Sequence, residues 1–234
     1  MPAPTAHNDA TSRTNASGTS HIGDVPAAVA DGELLVAHIR LTSAALVVTD
    51  YAGFTPWDVR QLATAGSDIV AVKKATASEP ATYTFTVDLA AASAFAITRV
   101  SGQHPTLATA MDAADGMASD VAGTLITLPS IVTTGPDRLI MWLPGVSGGV
   151  TFDWATSQLD TNELYDFAGS TTRSIAGSWE TQAAAGATGT EDITISVSDT
   201  FSGHTIAIAP ADEGGEPPGD PGITDTLVVG RARW

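Results

Sequence analysis

Two stretches of this chain are each written twice. Asp31-Gly32-Glu33-Leu34-Leu35-Val36-Ala37-His38-Ile39 is echoed by Pro136-Asp137-Arg138-Leu139-Ile140-Met141-Trp142-Leu143, and Thr82-Tyr83-Thr84-Phe85-Thr86-Val87 by Asp192-Ile193-Thr194-Ile195-Ser196-Val197. The offsets are roughly 105 and 110 residues, so blocks recur in the same order. Each echoed piece is short, rich in β-branched residues and partly alternating, the pattern of a strand with one face in a core and one in water. A doubled set of such strands predicts an all-β, antiparallel β-sandwich, jelly-roll-like, with an internal two-fold pseudo-repeat.

Turn chemistry divides the strands. In the first half the pattern predicts strands over Ile22–Val29, Leu34–Leu41, Ala45–Thr49 and Ile69–Lys74, and a hairpin from Thr82–Leu89 and Ala94–Val100. Tyr51 to Trp57 reads as a loop carrying three aromatics. From Thr106 to Ala122, Leu107, Ala110, Met111, Ala114 and Met117 have helical spacing, so a short helix or an irregular crossover both fit. The second half predicts strands over Thr124–Leu128, Ile131–Thr134, Leu139–Leu143, Gly149–Trp154, Arg173–Trp179, Asp192–Val197 and Thr205–Ala209, with Trp154 answering Trp57.

The expected organisation is a flexible arm from Met1 to Ser20, and a sandwich from His21 to Ala211 with halves of about 21–105 and 124–211. An acidic Gly/Pro linker from Asp212 to Gly222 and a docking strand from Ile223 to Trp234 follow. In that last strand Leu227, Val228, Val229, Arg231, Arg233 and Trp234 are the candidates for subunit docking, because a tethered apolar strand suits a neighbour's sheet edge.

The charge balance excludes one class of partner. With 26 acidic and 10 basic residues the net charge is −16, a field that repels phosphate backbones, so no nucleic-acid partner is expected. Cysteine is absent, which removes disulfides, thiolate metal sites and thiol nucleophiles. No apolar run reaches the ~20 residues that span a bilayer, and the first 20 residues lack the apolar core of a signal peptide. Membrane insertion is therefore not expected. Asn15-Ala16-Ser17 fits the glycosylation sequon.

Candidate chemistry is sparse. Gly145-Val146-Ser147-Gly148-Gly149 matches the nucleophile elbow of serine hydrolases, but a strand follows it where that motif needs a helix, so it reads as a hairpin turn. His7, His21, His38, His104 and His204 are scattered with no metal-binding spacing; His38 reads as a satisfied side chain in an apolar strand. Asp160 to Asp166 places oxygen ligands at alternate positions but lacks the glycine and final glutamate of a calcium loop, so a solvated acidic loop is expected, with structural calcium as its alternative. No other cofactor and no catalytic residue is expected. Tyr51, Phe54, Trp57 and Trp154 are candidates for stacking on a glycan if they are exposed, and otherwise cap the core.

Glu33-Leu34-Leu35-Val36-Ala37, the loop ending in Trp57, Val70-Ala71-Val72-Lys73-Lys74-Ala75 and Ser78-Glu79-Pro80-Ala81-Thr82-Tyr83-Thr84-Phe85 resemble a module of tailed-phage virion proteins. Thr133-Thr134-Gly135, Ala185-Gly186-Ala187-Thr188-Gly189-Thr190 and His204-Thr205-Ile206-Ala207-Ile208-Ala209 resemble its continuation. The resemblance implies a β-sandwich on the virion surface, as a tail, fibre or capsid-decorating component, and carries no catalytic residues. The expected function is non-enzymatic: packing against copies of itself and other virion proteins, with host-surface adhesion. The virion is the expected location. Glycan binding through the loop aromatics is the alternative, and hydrolysis at Ser147 the third.

Overall fold

The fold is given by a computed structural model, which describes residues 2–43, 46–63, 66–155, 157–170 and 173–211. The first half holds β1 (Thr5–Ala6), β2 (Thr11–Asp24), β3 (Leu34–Leu41), β4 (Val48–Asp50), β5 (Thr55–Leu62), β6 (Gly66–Lys74) and β7 (Thr82–Ser101). The second holds α1 (Leu107–Ala110), β8 (Met111–Leu128), β9 (Val132–Thr133), β10 (Arg138–Val146), β11 (Phe152–Trp154), α2 (Ser157–Thr161), β12 (Glu163–Ser170), β13 (Arg173–Gln182), β14 (Gly186–Ala187) and β15 (Glu191–Ile208). Among the described residues no helix is long and apolar enough to cross a membrane.

The doubling is carried by the connectivity. The first sheet runs β1-β7-β3-β6-β5, with β2 and β4 also on β7; the second runs β11-β15-β10-β13-β12, with β8 also on β15, and β9 pairs separately with β14. Matching β2 to β8, β3 to β10, β4 to β11, β5 to β12, β6 to β13 and β7 to β15 reproduces every one of the shared pairings, all antiparallel. Both sequence echoes fall on equivalent strands, β3 with β10 and β7 with β15. The chain is an all-β sandwich of two sheets, one from each half.

β3 and β10 are buried along their whole length on both faces. This corrects the expectation of one wet face, and the reason lies in the long strands. Phe85 and Phe95 both belong to β7, and ten residues of straight strand would separate them by about 33 Å. Their rings stand 4.9 Å apart, so β7 folds back over the sheet. The segments expected to form a hairpin are the two arms of this one bent strand, and each pairs with β2. Asp192–Val197 and Thr205–Ala209 are likewise joined, in β15, whose two arms pair with β8.

Three apolar layers result. Leu35, Ala37 and Ile39 of β3 pack with Phe85, Phe95 and Phe54 in one outer core; Ile140 and Trp142 of β10 pack with Ile193, Ile195 and Trp154 in the other. Leu34, Val36, Val70 and Val72 meet Leu139, Met141, Ile175 and Ile206 in a seam between the sheets. Alternation along β3 and β10 thus sorts residues between two cores.

The edges depart most from expectation. β2 occupies Thr11–Ser20, where an arm is expected, because its backbone pairs with β7 although its side chains are polar. It bends with its partner. Asn15 closes the bend, donating from Nδ2 to the Ile22 carbonyl at 2.9 Å and accepting from the Ile22 N–H at 2.9 Å, and Arg13 pairs with Asp24 at 3.0 Å. The amide is buried and used, which overturns the sequon. Where a short helix or an irregular crossover is expected, α1 is a single turn and β8 takes the rest, since tertiary pairing on β15 outweighs the spacing of its alanines and methionines. The second half consequently begins at α1 and β8 rather than near residue 124. β5 and β12, also edges, had no strand signal; β11 and β5 are not equivalent, so Trp154 does not answer Trp57.

Replacing Phe85, 0% exposed and in contact with Phe54, Tyr51 and Phe95, by Ala is expected to destabilise the fold by about 3–5 kcal/mol, whereas exposed Leu89→Ala is expected to change it by less than about 0.5 kcal/mol. Urea unfolding followed by tryptophan fluorescence measures both.

Candidate functional site

The densest group of chemistry-bearing side chains lies in the seam, and the repeat explains how it fits there. On the inward face of β3, His38 and Arg40 occupy the positions that Leu143 and Gly145 hold on β10. Opposite Arg40 on β6 stands Asp68; opposite Gly145 on β13 stands Ile175. On the other flank, β7 sets Ala96 and Ala94 beside His38 and Arg40, whereas β15 sets His204 and Ser202 beside Leu143 and Gly145. One half supplies bulk and charge where the other is small. A Cβ on Gly145 would lie 2.5 Å from Asp68 Oδ2 and 3.3 Å from Arg40 Cδ, so the missing side chain is the space those groups use.

Asp68 is the centre. Its Oδ1 lies 2.8 Å from His38 Nε2 and 3.6 Å from His204 Nε2, and its Oδ2 accepts from Ser202 Oγ at 2.8 Å. His38 Nδ1 is 3.0 Å from the Tyr165 hydroxyl, and His204 Nδ1 is 2.7 Å from Asp58 Oδ2. Arg40 donates to Ser202 Oγ and to Ser147 Oγ, both at 2.8 Å. At the rim Arg60 bridges Asp58 and Asp115, each at 3.0 Å. Gly116 of β8 admits that pair: a Cβ there would lie 2.6 Å from both Asp58 Oδ2 and Arg60 Nε. His38, Arg40, Asp68, Ser202 and His204 are all at most 1% exposed.

Such burial is tolerable only because the charges answer one another. Burial alone would push the Asp68 carboxyl up, but the charges of the two imidazoles and the hydrogen bond with His38 hold it well below the usual carboxylate range. For His204 burial favours the neutral ring; the charge of Asp68 and the hydrogen bond to Asp58 overcome this and push it up to about 9. Burial, aided by the nearby Asp68 charge, raises the Tyr165 phenol well above its ordinary value, so it remains neutral.

The aromatics proposed for glycan contact are dispersed. Tyr51 and Phe54 pack on Phe85 in the first outer core, Phe54 only 5% exposed. Trp57 lies against the seam, and Trp154, 4% exposed, sits in the second outer core with its Nε1 donating to Glu163 at 3.1 Å. Buried rings offer no face to a sugar, which corrects that reading for Phe54 and Trp154. Ser147 accepts hydrogen bonds from Arg40 and from Thr200 Oγ1 at 2.8 Å, and a guanidinium donor is the reverse of the base a nucleophile requires. β10 and β11 flank the Ser147 turn but do not pair with each other, so it is not a hairpin turn.

The acidic stretch expected as a loop is split between α2 and β12. Glu163 accepts from Trp154 and Asp166 from the Phe152 N–H at 3.2 Å. Among the described residues, His38, Asp68 and His204 are the group whose ligand atoms converge, all within 4.8 Å of one another. Leu227, Val228, Val229, Arg231, Arg233 and Trp234 lie outside the described residues, as does the acidic linker.

Compared with protein-family models, curated proteins and solved structures, the chain has no match.

Two outcomes test the seam. His204 is raised from 6.5 to about 9, so its contribution to stability is complete below pH 6.5 and is lost as pH rises through about 9. In chelator-treated buffer Tm is expected to fall by on the order of 5 °C between pH 6.5 and 9.5, and the slope to flatten in His204→Asn, by scanning calorimetry. Gly145→Ala, crowding Asp68 and Arg40, is expected to cost about 1–3 kcal/mol, against almost nothing for Gly18→Ala, whose Cβ would meet only Ala16 O at 4.0 Å.

Proposed function

We propose that this chain is a non-enzymatic structural protein of a tailed-phage particle, a tail, fibre or capsid-surface component that works by packing against copies of itself and other virion proteins. The observation that carries the non-enzymatic reading is the sealed seam. The group best equipped for chemistry lies at most 1% exposed between the two sheets, tying the halves together without an open cleft at which a substrate could dock. The placement in a virion rests on the resemblance of the strand and turn motifs, with which the doubled sandwich agrees.

Adhesion needs surface. Val121, Leu125 and Val197 are large apolar side chains exposed by 77%, 52% and 59% on the β8–β15 ribbon, and Val47 and Leu89 are exposed near the β4–β7 contact of the first half. Such residues are available to neighbouring subunits. The strong negative charge keeps individual chains soluble before assembly and disfavours nucleic-acid contacts.

Mass spectrometry of gradient-purified particles is expected to find the chain at a fixed copy number per particle, and its absence from them would refute the virion reading. A chain lacking residues 223–234 is expected to fold, by circular dichroism, while incorporating poorly; normal incorporation would remove the docking role of those residues.

A further inference from the structure

We propose that the seam is a binding site for one zinc ion, held by Nε2 of His38, Nε2 of His204 and the Oδ1 carboxylate oxygen of Asp68. The three donors come from β3, β15 and β6, so the ion would join the two halves of the chain. Their spacing is right. Donors around a tetrahedral zinc ion with bonds near 2.0–2.1 Å stand about 3.3 Å apart. The distances from Asp68 Oδ1 to His38 Nε2 and His204 Nε2, 2.8 and 3.6 Å, bracket that value, and all three atoms lie within 4.8 Å of one another.

A second observation is independent of this clustering. His204 Nε2 is fully buried and makes no hydrogen bond, although it points at Asp68. A sealed polar atom without a hydrogen bond is costly, and a cation between it and Asp68 removes the cost. The surrounding contacts have the form a metal site requires. Each imidazole is oriented through its other nitrogen, His38 by the Tyr165 hydroxyl and His204 by the Asp58 carboxylate. Ser202 holds Asp68 Oδ2, which leaves Oδ1 to face both rings. The rings stand nearly perpendicular, at 83°, with centroids 6.0 Å apart.

The donor set narrows the metal. Two imidazoles and one carboxylate suit first-row divalent ions, of which zinc is the redox-inert one that settles into a four-coordinate site, whereas calcium and magnesium take oxygen donors. A tetrahedral ion needs one more donor, which three protein ligands leave to water. On binding, the ion replaces the Nε2 protons; His38 then carries its proton on Nδ1, donating to Tyr165, and His204 keeps Nδ1–H on Asp58. In a chain without cysteine, the ion would act as a cross-link between halves.

Chelator-treated protein dialysed against zinc is expected to hold one zinc per chain by plasma mass spectrometry, and its Tm to rise by about 5–10 °C at zinc concentrations a hundred-fold above Kd. His38→Asn and His204→Asn each retain an amide near the Nδ1 position while deleting Nε2, and each is expected to lose both effects. Long-range proton–nitrogen spectra of the unaltered protein keep the test independent of whether the variants fold: zinc should move the Nε2 signals of His38 and His204 and leave those of His7 and His104. Retention of less than about one-tenth zinc per chain, a zinc-induced Tm rise that persists in both folded variants, or Nε2 signals that do not move at saturating zinc would each overturn the site.

Discussion

The inner face of β3 has to meet the inner face of β10 away from bulk solvent, because the outer faces of both strands are already occupied by the folded-back arms of β7 and β15. Neither half can present a wet surface there. Leu34, Val36, Leu139 and Met141 satisfy that demand by burial alone. Further along the seam, however, stand His38 and Arg40 of β3, Asp68 of β6 and His204 of β15, whose transfer from water is costly unless every charge is answered. The network of Asp68, Ser202, Arg40 and Ser147 provides those answers. Its hydrogen bonds also have direction, so the seam accepts one register where an all-aliphatic contact would tolerate slippage.

What was legible in the sequence follows from where a strand sits. β3, β6, β10 and β13 are central or next to the centre, and their runs of Val, Ile, Leu and Ala announce them. β2, β5, β8 and β12 lie at edges and are built from Thr, Ser, Asp, Gly and Ala, residues whose strand conformation comes from backbone pairing with a partner. No local pattern encodes that partner. In the sequence the bend of β7 reads as a turn between two strands because Ala90 to Ser93 lacks large apolar residues; the ladder to β2 in fact carries on through it with register shifts, while the pairing with β3 stops at Ser93.

The seam cluster was hidden for a different reason. Asp68 and His204 stand 30 and 166 residues from His38, so spacing alone links nothing. A subtler signal existed in the repeat itself. Aligning β3 on β10 sets Arg40 against Gly145 and His38 against Leu143, and a charged residue facing a glycine at equivalent inward positions is the mark of a shared interface that has become asymmetric. Reading it required the pairing of halves, which only the fold supplies.

That asymmetry constrains what the doubled chain can be. Had two copies of the first half come together, Arg40 and Asp68 would meet their own likenesses in a dry seam, with Ala94 and Ala96 offering neither a hydroxyl nor an imidazole to receive them. Two copies of the second half would set Gly145 and Leu143 against Gly145 and Leu143, leaving His204 and Ser202 with no carboxylate to bind and a void where Arg40 now lies. Neither homotypic pairing closes. The covalent connection through α1 and β8 therefore joins two parts that have become complementary, and the charges at their contact exclude the symmetric assemblies from which a doubled fold otherwise differs little.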